Sequence, residues 1–301
     1  MDWLLEPFLL GFQQRALIGG LIAAVMCSVV GVWLVLRGMS FFGDAFVHAV
    51  LPGIAAAVLF DFSPYLGAAI AALVMVGGIE FIHRQSSLKE DTAIGLLFVG
   101  MMALGVAIIS KSASFTGSLT SILFGDAFGV TWDGIRSEAI IAAFVVAGSL
   151  ALYRPLLGLA FSPVKAATLG LRPRVTHALL LAMIAAAVIG SFQAVGTLLV
   201  FGLLVGPPAT AALVSRTVPR MMITSVLLAA ASVWLGLTLS YRLGTAGAAT
   251  VSLVAVAFFF VVLHLVWLRR LGLRRRGVRS DADAAAASAS ARGAAGTEGA
   301  A

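Results

Sequence analysis

Met39-Ser-Phe-Phe-Gly-Asp-Ala-Phe-Val-His-Ala-Val-Leu-Pro-Gly53 sets an acid and an imidazole inside a run otherwise apolar enough to enter a bilayer. On an α-helix the step from Asp44 to His48 stacks both side chains on one face, a turn apart and within reach of a single ligand. Pro52 has no N–H, so the His48 carbonyl is expected to lose its helical partner and to join the same spot. Ionisable residues inside a membrane segment are costly and are read first as functional groups. The competing reading is structural: Asp44 follows Gly43, where an Asp N-cap is ordinary, and His48 bonds a neighbouring carbonyl. Carboxylate, imidazole and carbonyl together make a mixed O/N donor set that suits manganese, iron or zinc better than a soft thiolate-bound metal or a large organic ligand. Two side chains coordinate an ion incompletely, and a symmetry mate would supply the rest.

The surroundings of that stretch are those of a membrane protein. Of 301 residues 61% are hydrophobic and only 11% charged, against about 25% charged in soluble domains, and the mean hydropathy is +1.07. About 20 apolar residues cross a bilayer, so the chain is expected to be all-α and polytopic, with eight to nine transmembrane helices. Residues 1–269 form the membrane domain, and residues 270–301, rich in Ala and Arg, form a disordered cytoplasmic tail unable to bury enough apolar area to fold. The start Met1-Asp-Trp-Leu-Leu-Glu carries acids where a secretory signal carries bases. Cys27, the only cysteine, excludes an intramolecular disulfide or a cysteine metal cluster and reads as a small buried hydrophobe.

An interfacial helix over 1–15 leads into spans at about 16–36, 43–60, 65–82, 92–109 and 135–152, with 119–124 too short to cross. Residues 176–214 exceed one crossing, so two spans are expected there, turning in Gly190-Ser-Phe-Gln-Ala-Val-Gly196. The second of these is expected to end at Gly206-Pro207-Pro208, and two more follow at about 221–239 and 248–268. With a cytoplasmic C-terminus, most of the 20 Lys and Arg fall on the cytoplasmic side, as basic residues do in membrane proteins. The formal charge of +7 is explained by that asymmetry, without nucleic acid. The expected setting is the plasma (inner) membrane.

There is no P-loop, no Gly-x-Ser-x-Gly elbow and no His-Glu-x-x-His pair, so the chain is not expected to hydrolyse nucleotide through a P-loop of its own, and any energy source lies elsewhere. A second feature is Gly202-Leu-Leu-Val-Gly-Pro-Pro-Ala-Thr-Ala-Ala-Leu-Val-Ser-Arg216. Its Gly-x-x-x-Gly spacing favours close helix packing, and the Pro-Pro break predicts a short exposed helix on the membrane surface, with Arg216 and Arg220, suited to docking a partner. Asp91 and Asp126 read as capping or gating groups, Glu80 as an ion-pair partner one turn before Arg84, and His83, His177 and His264 as interfacial. Met101-Met102 reads as packing.

Arg37-Gly-Met-Ser-Phe-Phe-Gly-Asp-Ala-Phe-Val-His-Ala-Val-Leu-Pro-Gly, Asp91-Thr-Ala-Ile-Gly, Leu123-Phe-Gly-Asp-Ala-Phe-Gly-Val and Gly206-Pro-Pro-Ala-Thr-Ala occur in an order that resembles the permease subunits of manganese/zinc/iron-type ABC importers, the ABC-3 family. The resemblance spans about 10–268. It implies the ABC-importer permease fold, a homodimer in membrane lipid, a cytoplasmic ATP-binding subunit on each half, and an extracytoplasmic metal-binding protein that delivers a divalent cation. No permanently bound cofactor is implied; the metal is cargo. By the match, Asp44 and His48 fall on metal positions, and Pro208, Ala209, Thr210, Ala211, Ala212 and Arg216 on the ATPase-coupling helix. The second proline at 208 departs from the more usual single one, and the tail lies outside the pattern. The rival readings are a permease for an iron chelate or cobalamin, a proton-coupled secondary transporter with Asp44/His48 as relay, and an intramembrane hydrolase, for which no nucleophile stands nearby.

Overall fold

The computed structural model describes residues 6–85, 90–110 and 130–269. Among them every regular element is helical: a 3-10 turn, Glu6–Leu9, then α1 (Gly11–Leu36), α2 (Ser40–Ala49), α3 (Leu51–Leu59), α4 (Pro64–Gln85), α5 (Glu90–Ile109), α6 (Trp132–Ala151), α7 (Tyr153–Phe161), α8 (Pro163–Thr168), α9 (Pro173–Val195), α10 (Thr197–Val214), α11 (Val218–Leu243) and α12 (Gly247–Arg269). The chain divides into two compact units at Phe259/Phe260, and the bundle described here is the first. Among the described residues eight helices are long and apolar enough to cross a membrane, α2 and α3 counting as one, and the shorter Leu198–Val214 is the ninth candidate. At 18 residues, α10 measures about 27 Å, just under the roughly 30 Å of hydrocarbon. The choice between eight and nine spans therefore falls on this helix.

The bundle is built around α1, which packs against α6, α9, α10 and α11. An apolar helix without a polar face belongs in an interior, and 72% of the α1 span is buried, against 22% for α5. Small residues let its neighbours in: a Cβ at Gly20 would sit 2.7 Å from Val233 of α11. The α3–α4 hairpin is tighter still, since a Cβ on Gly53 or Gly67 would strike the other's carbonyl.

The turn expected within 190–196 occurs at Gly196, whose φ of +80° and ψ of 159° suit glycine alone. The expected helix end at Gly206-Pro207-Pro208 is corrected: both prolines lie inside α10, which continues to Val214. They still deprive the Leu203 and Leu204 carbonyls of their usual donors. Packing and the cost of further unpaired backbone in an apolar setting keep the helix going. The Leu204 carbonyl is pressed against α1 at Gly31, where a Cβ would collide with it and come 2.8 Å from Pro208 Cγ. Thr210 Oγ1 donates back to Gly206 O at 2.8 Å. The surface helix expected after Pro208 is accordingly not formed: Pro208, Thr210 and Ala211 are buried and Ala209 is half-buried. Ala212, Val214 and Arg216 are the exposed positions of that stretch. Residues 119–124, Asp126 and the 270–301 tail lie outside the described residues.

Candidate metal site and the basic end of the bundle

α1 ends in a Schellman turn. Met39 N–H bonds Leu34 O at 3.1 Å and Gly38 N–H bonds Val35 O at 3.0 Å, with Gly38 at φ +69°, the left-handed conformation this turn needs. The chain passes directly into α2, whose N-cap is Met39. Asp44 is thus the fifth helical residue and not a cap, which removes the capping reading for it.

Along α2, Phe42, Gly43, Ala45, Phe46, Val47 and Ala49 are buried. Phe41, Asp44 and His48 are left on one open stripe, with the Asp44 and His48 side chains 35% and 30% exposed. His48 Nε2 lies 3.6 Å from Asp44 Oδ1, too far for a good hydrogen bond. Two metal–ligand bonds of about 2.1 Å spanning that gap meet at about 120°, close to the tetrahedral range. The buried Nδ1 of His48 has no hydrogen-bond partner. Phe98 of α5 stands 6.1 Å from the imidazole and 5.9 Å, edge-on, from Phe41, so it walls one side of the stripe. The pair expected from the sequence is brought together, a carboxylate oxygen and an imidazole nitrogen facing each other on one stripe of α2.

The helix breaks at Val50 and Pro52 opens α3. Having no N–H, Pro52 gives the His48 carbonyl no i+4 donor. Gly105 of α5 packs on this break, where a Cβ would meet Pro52 N at 3.3 Å. Asp91, in the first turn of α5, is exposed and about 10 Å along the helix from Phe98. Among the described residues no three His, Cys, Asp or Glu gather.

Glu138 escapes the sequence reading. It is 1% exposed in α6, and Oε2 faces Gly19 of α1, whose Cβ would lie 3.5 Å away. Its signal was in the sequence: an acid inside the expected span 135–152 is as costly as the one at Asp44. Cys27 is buried as expected, and Met101 and Met102 point apart, one buried and one exposed.

The basic connection after span five holds structure that was not foreseen. α7 and α8 are separated by Ser162, whose Oγ accepts from Lys165 N at 3.3 Å and caps α8. Phe161, Val164 and Leu169 are at least 73% exposed. Pro163, Val164, Ala167, Arg172, Pro173, Arg174 and Val175 line a hollow of about 680 Å³. These exposed apolar side chains are rimmed by the cations Arg172 and Arg174. Arg216 and Arg220, with Val214, Ser215, Ile223 and Thr224, line a second hollow of about 420 Å³ at the α10–α11 turn.

The sequence profile of the ABC 3 transport family matches residues 10–266. The chain belongs to this family. A probable iron transport system membrane protein of Haemophilus influenzae is 34% identical over 262 residues, covering 87% of this chain and 96% of the relative. The manganese transport system membrane protein MntC of Listeria innocua is 36% identical over 251 residues, covering 83% and 89%. Among solved structures, PsaBC from Streptococcus pneumoniae superposes with a TM-score of 0.72 at 31% identity over 84% of this chain and 91% of that one. An inward-facing putative metal-chelate type ABC transporter, at 16% identity and a TM-score of 0.68, shares the fold. As an ABC 3 member the chain is a membrane permease, the transport part of its system and not an enzyme.

Proposed function

We propose that this permease imports a divalent transition metal, manganese, iron or zinc, across the plasma (inner) membrane with energy from a separate cytoplasmic ATPase. The observation that carries the reading is the Asp44–His48 clasp, a hard oxygen and an imidazole nitrogen 3.6 Å apart on an open stripe; similarity to proteins named for manganese and iron transport supports it. An extracytoplasmic metal-binding protein delivers the ion. A second copy of the chain supplies its own Asp44 and His48, since two donors are half of a four-coordinate set and the stripe is open in one protomer. The C-terminus is cytoplasmic by the distribution of Lys and Arg. The ATPase docks on the basic end, against the apolar α7–α8 surface and the exposed Ala212 and Arg216 that follow Pro208.

Reconstituted with its ATPase and binding protein, the permease is expected to accumulate manganese, zinc or iron(II) in proteoliposomes on adding ATP. Asp44→Ala and His48→Ala abolish accumulation while the ATPase still co-purifies. Uptake of cobalamin or a ferric chelate in place of the free ion, or metal uptake driven by a proton gradient without ATP, would overturn the proposal in favour of the corresponding rival.

A further inference from the structure

Both ends of the α7–α8 segment are fastened to the same turn of α1. At its entry, the Trp33 indole N–H donates to Ser149 Oγ at 2.7 Å in the last turn of α6. The Trp33 ring meets Tyr153, the first residue of α7, edge-on at 5.5 Å, and Trp33 is 1% exposed. At its exit, the Arg37 guanidinium donates to His177 Nδ1 at 2.6 Å near the start of α9. Since arginine has no acceptor, Nδ1 is the acceptor in this bond. Beside it Thr176 Oγ1 donates to the carbonyls of Leu171 and Arg172 at 3.1 and 3.3 Å. Arg172 itself sits at φ +44°, a conformation held only where the surroundings enforce it. Trp33 and Arg37, four residues apart, share one helical face.

Arg37 is also the last residue before the Schellman turn at Gly38, and Asp44 follows seven positions on. That turn is closed by two backbone hydrogen bonds, so α1 and α2 meet through a stiff corner. A displacement of α7–α8 pulls on Trp33 and Arg37 together, and the corner hands it to the helix carrying the clasp.

We infer that Trp33 and Arg37 are positioning residues through which movement of the α7–α8 surface sets the placement of Asp44 and His48. The inference rests on α7–α8 being the ATPase-facing surface. Its test is ATP-driven manganese uptake by the complete importer in proteoliposomes, read as metal moved per ATP hydrolysed. Arg37→Gln and His177→Phe are each expected to lower that ratio by about fivefold or more, the scale of a coupling between sites. The double variant falls no further, because both remove one link. His177→Gln, whose amide oxygen can accept from Arg37, restores most of the ratio. The ATPase remains bound in all four, and manganese affinity of the resting permease is unchanged. An unaltered ratio in the single variants, effects that multiply in the double, or release of the ATPase each overturns the inference. Failure of the transport reading itself looks different, because there the unmodified importer moves no metal.

Discussion

Lengthening Asp44 by one methylene tests whether the clasp works by geometry. Asp44→Glu keeps the charge and the carboxylate but adds roughly 1.5 Å of reach. The oxygen and nitrogen stand 3.6 Å apart, and two bonds of about 2.1 Å span at most about 4.2 Å. The tolerance outward is therefore about 0.6 Å, less than half of the added length. Inward, the same step closes carboxylate onto imidazole and leaves no room for an ion. Since disturbing a partner behind a ligand already costs 10–100-fold in affinity, loss of a ligand's reach is expected to cost at least about 100-fold. Asp44→Asn keeps an oxygen at the native distance and gives up only charge, so it is expected to lose less, about tenfold. The order is the reverse of ordinary conservatism, in which glutamate is the mild replacement. Exchanging the two residues, Asp44→His with His48→Asp, keeps the spacing and the donor set and recovers part of the uptake. The assay is initial-rate uptake of radiolabelled manganese below saturation, with metal bound by the purified complex measured in parallel. Uptake by Asp44→Glu within about threefold of the native chain, a difference under 1 kcal/mol, would refute the geometric argument. So would Asp44→Asn proving the worse of the two.

Gly31→Ala is expected to destabilise the bundle by about 1–3 kcal/mol, because its methyl group would collide with the Leu204 carbonyl and Pro208, whereas Gly77→Ala, in open space, leaves the melting temperature in detergent nearly unchanged; equal effects would mean that α1 and α10 do not meet so closely. Val164→Glu, on the exposed face of α8, is expected to release the ATPase on purification while manganese binding at Asp44 and His48 persists, and retention of the ATPase would move its docking site elsewhere. Glu138→Gln removes charge without changing shape at a position only 1% exposed, where a carboxylate is costly to bury, so the melting temperature should hold or rise; a fall of more than about 8 °C, roughly 2–3 kcal/mol, would reveal a partner that needs the charge.

The Asp44–His48 pairing was legible because charge inside an apolar run stands out without any knowledge of packing. The turn at Gly196 and the close of α1 at Gly38 were legible for a related reason: glycine marks places where φ must be positive. The course of α10 was not, because what carries it through Pro207 and Pro208 is contact with Gly31, a residue on another helix more than 170 positions away. Phe98 was invisible for want of contrast, since one aromatic ring in an apolar helix breaks no pattern. α7 and α8, nine and six residues long, are too short for hydrophobic periodicity to declare them. Their cations alone were visible, and these speak of sidedness before they speak of a partner. The hydrogen-bonded Arg37–His177 pair joins positions 140 apart, a separation that pattern reading along one chain does not bridge.

The single-residue turn at Gly196 constrains how the protein is made. α9 and α10 are joined with no linker, and α10, at about 27 Å, is slightly shorter than the lipid core is thick. If α10 crosses, the two helices are expected to leave the insertion machinery as one hairpin, the longer drawing the shorter across. A side chain at position 196 would then show its harm during biogenesis, as full-length chains with the last three helices facing the wrong way, before any finished transporter could be measured.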